Sequence, residues 1–186
     1  MKSSLIMDDI QFLDSFEKTL QDGLLRLCKG YGHLEGGLLE SPDLEQVWDS
    51  FIKDYIADAV ENFNSWPDAS LAWAAYLGMG VANNWDRNWE RHCSDPYTSY
   101  YGSNGWDDMD EHIVFDQLGL DKSQADALSQ LLLSCSQACL ALIRHENIEP
   151  QTSTGFYCLA RAYSVFFRIG ASLELERLAY RKVIVR

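Results

Sequence analysis

The residues best suited to chemistry lie in two short stretches on either side of residue 100. "NNWDRNWERHC", Asn83 to Cys93, holds Asp86, Glu90 and His92. "GWDDMDEHIVFD", Gly105 to Asp116, holds Asp108 and His112, four positions apart. On a helix, residues four apart share a face, so Asp86 with Glu90, and Asp108 with His112, each form a pair pointing one way. Carboxylates suit hard divalent cations, and imidazole suits transition metals. If the chain between the stretches folds back, Asp86, Glu90, His92, Asp108 and His112 can line one acidic cleft. Such a cluster would serve a metal-dependent, hydrolase-like enzyme with a divalent metal as its cofactor. The spacing matches neither the HExxH helix nor the Glu-x-x-His pair of dimetal bundles. Acids gathered near a helix start also have a simpler use, in complementing the helix dipole.

Helical phase divides the first stretch. Taking Trp85 as origin, Trp89 and His92 fall close to it, in line with Leu71, Ala75, Gly78 and Ala82 upstream. Arg87 and Arg91 fall on the far side. This phase expects Trp85 and Trp89 in the core, with Asp86 and Glu90 on its flank. Cys93 beside His92 is a poor nucleophile–base pair, because adjacent helical residues project about 100° apart.

"SDPYTSYYGSNG", Ser94 to Gly105, joins the two stretches as the longest apparent loop. Tyr97, Tyr100 and Tyr101, with Trp106 just beyond, are the binding candidates. Such side chains give large rigid contact area with a polar tip. Their alternative use is to fold back over the helix ends.

Composition narrows the functions. The chain has 186 residues, 47% of them hydrophobic and 12% aromatic, as expected of one globular domain. Its net charge of −13 argues against nucleic acid and against an anionic membrane surface. It permits a basic protein partner, a cation or simple solubility, the last being the favoured reading, and it leaves a small-molecule ligand open. The tail runs the other way: Arg161, Arg168, Arg177, Arg181, Lys182 and Arg186 outnumber Glu174 and Glu176. That basic segment can dock on the acidic body, or on a second copy as a homo-oligomer. Docking within the chain is the favoured reading. Five cysteines without a CxxC point to free, buried thiols in a reducing cytoplasm. "GYGHLEGG" lacks the Lys-Ser/Thr of a phosphate loop, and no GxSxG occurs.

The elements that must position these residues read as helices. Apolar residues recur at three- and four-residue steps over Asp8–Lys29. "SPDLEQVW" opens a second helix, with Ser41 to cap and Pro42 at its first position, stopping near Asn62 or Asn64. A third runs over Asp68–His92, its Gly78 and Gly80 implying either close approach of a neighbour or a kink. A short helix covers Asp107–Leu118, with Gly119 as its stop. Asp121 with Gln124 forms a capping box for a helix reaching His145. Its uncharged stretch Ala127–Ile143 is too interrupted by Ser and Gln for a membrane span and suits the centre of a bundle. The last helical region starts near Ser153, breaks at Gly170 and resumes to Lys182, before "VIVR" as a short strand or ordered tail. The expectation is an all-α, single-domain antiparallel bundle of five to seven helices, spanning 1–186. Its tyrosine-rich loop lies between the third and fourth helices. The leading function is a non-enzymatic binding module with an acidic, aromatic-rich surface. The metal-dependent enzyme is the alternative.

Overall fold

The structure, a computed structural model, describes residues 2–63 and 67–182. "VIVR" and Asn64 therefore lie outside the described residues. The architecture is an all-α bundle, with no strand among the described residues. Among the described residues six α-helices follow one another: α1 (Lys2–Gly30), α2 (Pro42–Ala59), α3 (Pro67–His92), the short α4 (Met109–Glu111), α5 (Lys122–His145) and α6 (Ser153–Arg177).

The centre is the crossing of α3 and α6. Both are buried along most of their length, from Ser70 to Asn84 on one side and from Ala162 to Leu175 on the other. Two glycines set its closeness. A Cβ at Gly78 would lie 2.1 Å from the Phe167 carbonyl oxygen, and one at Gly170 would lie 1.8 Å from that of Ala75. Gly78 is thus explained by close approach rather than by a kink. Gly170 does not break α6, because its missing side chain is filled by the backbone of α3. Gly80 is packed less tightly, by the side chains of Tyr100, Ile113 and Gln117.

The remaining helices lean on this pair. α5 begins with the expected capping box, Asp121 and Gln124 each accepting the other's backbone N–H. α6 is capped by Thr152, whose hydroxyl accepts from Gly155 N at 3.0 Å. Ser41 holds the N-cap position of α2 without a side-chain bond, leaving Pro42 as the start signal. α5 is a flanking helix rather than the central one. Leu131, Leu132, Cys135 and Cys139 turn inward while Ser and Gln supply a wet face. By length and a mean hydropathy of 1.4 it would pass as a membrane-crossing helix, but only one face of it is buried in this fold.

Part of the basic segment bonds within the chain, through Arg161, Arg168 and Arg177, while Arg181 and Lys182 are exposed. Arg161 bonds Asp14 and Glu17 of α1, and Arg168 bonds Glu17 and Gln21. Arg177 forks onto Glu174, a fully buried carboxylate that burial pushes above the usual carboxylate range. Cys28, Cys135, Cys139 and Cys158 are buried free thiols, whereas Cys93 is exposed.

Candidate functional site

α3 does not run smoothly through its last turns. At Asn88 the backbone leaves the helix (φ −169°, ψ 89°), and the Asn88 side chain accepts the N–H of Arg91 at 3.1 Å. Asn88 is thus an internal N-cap that stops one helical run and starts another. The helical phase counted from Trp85 is lost beyond it. Asp86 and Glu90 lie on different sides of the break, so the shared face expected for them does not exist. Trp85 and Trp89 are only partly buried. Trp85 still packs on the core and donates its Nε1–H to Asp43 at 3.0 Å.

The five acidic and imidazole candidates are dispersed. Asp86 accepts the Tyr180 hydroxyl at 2.8 Å. Glu90 is exposed. His92 pairs with Asp95, Nδ1 to Oδ2, at 2.6 Å. Asp108 accepts from Asn104 N at 3.1 Å and from the Ser103 hydroxyl at 3.2 Å, closing the turn after Tyr101. His112 faces Asp116 at 3.2 Å. Among the described residues no group of three or more His, Cys, Asp or Glu could hold a metal ion. The physical reason is local satisfaction: apart from Glu90, each finds a partner on its own turn or in another element. The Cys93 thiol contacts the Glu90 carbonyl and the Ser94 hydroxyl rather than His92.

The tyrosine-rich segment folds back onto the bundle. Tyr97 and Tyr100 are 4% and 3% exposed, while Tyr101 and Trp106 are half-buried. One carboxylate organises it. Asp58 of α2 accepts the Tyr97 hydroxyl at 2.7 Å and that of Tyr101 as well. Burial, followed by the Asp58 hydrogen bond, pushes the Tyr97 phenol far up and Tyr101 to about 12. Tyr100 receives a hydrogen bond from Asn84 at 3.1 Å, and burial raises it to about 12. Trp106 packs on Trp73 and accepts its indole N–H through the backbone carbonyl at 3.1 Å. A π-helical turn, His112–Gln117, follows α4. It brings Gln117 to the Gly80 carbonyl at 2.7 Å and to Asn84 at 3.1 Å.

One cleft emerges from this packing. About 330 Å³ in volume, it lies between α2 and the capped last turn of α3, with the tyrosine segment as its floor. Phe51, Trp89, Tyr97 and Tyr100 give it aromatic surface, and Asp54 and Asp95 give it negative charge. Neither Lys nor Arg lines it, and its one base, His92, is held by Asp95. The cleft gathers three of the sequence candidates, His92, Tyr97 and Tyr100, and omits the other six. Its two acids, Asp54 and Asp95, are not among those candidates. Asp54 and Asp58 are one turn apart on α2, a spacing that places both toward one neighbour. Asp95 lies three residues after His92, within reach of its ring.

The chain was compared with models of known protein families, with curated proteins and with solved structures, and it matches none of them. The arrangement of the cleft itself must carry the functional reading.

Proposed function

We propose that the protein is a non-enzymatic binding module that takes a Lys or Arg side chain of a basic protein partner in the cleft between α2 and the end of α3. The observation that carries this reading is the pairing of Asp54 and Asp95 with an aromatic wall, in a cleft free of Lys and Arg. A cation is drawn to carboxylates and to the face of an accessible ring, here Trp89. Each such ring contact is worth about 0.5–2 kcal/mol, depending on desolvation. The net charge of −13 adds long-range attraction for a basic partner and speeds encounter. The helix bearing Asp54 is itself acidic, with Asp43, Glu45, Asp49 and Asp58 against the single Lys53.

The test is calorimetric titration with a blocked peptide of alternating Lys and Ser, at low and at high salt. Saturable binding that weakens in salt is expected. Asp54→Asn and Trp89→Ala should each weaken it about tenfold, or about 1.4 kcal/mol. Absence of saturable binding overturns the proposal. So does affinity unchanged from the parent protein in both variants, since the peptide would then sit elsewhere on the acidic surface.

A further inference from the structure

Only 33% of the most apolar stretch of α5 is buried, so much of an apolar helix is left facing water. Its outward stripe has a regular spacing. Asp126, Gln130, Leu133, Gln137, Leu140 and Arg144 follow one another at steps of four and three, the spacing of a coiled-coil seam. All but the partly buried Leu140 are exposed, Leu133 by 47%. Tyr31, also exposed, extends the surface on one flank, where its hydroxyl lies 2.8 Å from that of Ser134. Between the terminal charges, Ala127 to Ile143 carries none, in a chain of which 23% is charged. Two bodies of net charge −13 repel each other, and this face lets them meet without local repulsion.

The stripe is its own complement. Turned end for end about a two-fold axis level with Cys135, Leu133 meets the partner's Gln137, Gln130 meets the partner's Leu140, and Asp126 meets the partner's Arg144. Both ends of the pair then close with opposite charges. A parallel pair would set Asp126 against Asp126 and Arg144 against Arg144, so charge selects the antiparallel one. Both groups are available. No ion pair among the described residues includes Arg144. Asp126 is paired with Lys122, one turn back on the same helix, through Oδ2. That pair is exposed on both sides, the kind worth little, and it leaves Oδ1 open.

We infer that the outward face of α5 docks a second copy of this chain, antiparallel, with Asp126 and Arg144 paired at each end. The surface is separate from the cleft and does not depend on it. A single helix pair is a small interface, of the class that forms transient complexes, so the dimer grows with concentration.

Sedimentation velocity over a wide range of protein concentration tests this. The sedimentation coefficient should rise from the monomer value toward the dimer value. Leu133→Glu, at an exposed position, should hold the protein at the monomer value with its helix content unchanged. Asp126→Arg alone and Arg144→Asp alone each set like charges at both ends and should weaken the dimer about tenfold or more. An equimolar mixture of those two variants should dimerise as the parent does, because each chain then meets opposite charge in the other. Within one chain positions 126 and 144 stand about 27 Å apart along the helix, so no contact inside a chain imitates that recovery. A parent that stays monomeric overturns the proposal, and if it then floats with phosphatidylcholine vesicles the face belongs to lipid instead. A dimer that persists in Leu133→Glu overturns the choice of face. A mixture that fails to recover overturns the antiparallel register.

Discussion

Asp58 accepts two phenolic hydroxyls, from Tyr97 and Tyr101, and therefore requires both phenols to keep their protons. Those phenols, and Tyr100 beside them, ionise at higher pH in the fold than in the unfolded chain, where tyrosine titrates near 10. Since the folded values are raised, their contribution to stability is complete below about pH 10 and is lost as pH rises toward and beyond 12. Thermal melts between pH 9 and 12 should therefore show the midpoint falling above about pH 10. In a Tyr31→Phe, Tyr157→Phe, Tyr180→Phe background, which removes the exposed phenols, phenolate absorbance should arrive late and together with loss of helix. An early phenolate step, while the helices persist, would mean that the tyrosine segment detaches on its own. The sequence hides this link, because Tyr97 and Asp58 are 39 positions apart.

At the scale of the elements, local signals are legible in the sequence and distant ones are not. The capping box of α5 is legible because its two residues are three apart and satisfy each other. The start of α2 is legible in Pro42 for a similar reason. The break in α3 is not, because the apolar period runs through Asn88 as though the helix were continuous. Asn is a cap only when the backbone turns there. Just before Asn88, Trp85 is tied to α2 by a bond to Asp43 made across 42 positions. A continuous helical wheel does not carry through Asn88 to Glu90 and His92. Glycines are intermediate: Gly78 announces close approach without naming the partner. The crossing makes a graded prediction. Gly170→Ala forces a Cβ into the Ala75 backbone and should cost about 3 kcal/mol or more in urea unfolding. Gly80→Ala meets only side chains at 3.0–3.3 Å and should cost about 1 kcal/mol, or less if they move. Equal costs would refute this account of the crossing.

For the whole molecule, charge is arranged so that the acidic α1 holds the first two arginines of the basic segment. Glu17 receives both Arg161 and Arg168, tying α1 to α6 at a partly buried site. Glu17→Ala should lower the unfolding free energy by about 1–2 kcal/mol, with the loss shrinking in high salt. An unchanged urea midpoint would show that the apolar contacts of α1, such as Phe16, Leu20 and Leu24, hold the helix without them. The uneven charge along the chain is legible in the order of its residues. The pairing is not, because Arg161 and Glu17 are 144 positions apart.

The central crossing also bears on the order of assembly. Ser70 and Tyr163 meet in the core 93 positions apart, and Gly78 and Gly170 nest at a similar separation. Most helical bundles fold quickly because their contacts are local, but here the innermost pair closes a long loop. During synthesis, α1 to α5 emerge before α6 can fill the groove over Ala75 and Gly78. Until then that groove presents apolar and small residues to water, the condition under which nascent chains aggregate or recruit chaperones. The close packing that secures the finished fold therefore sets a vulnerable interval in its making.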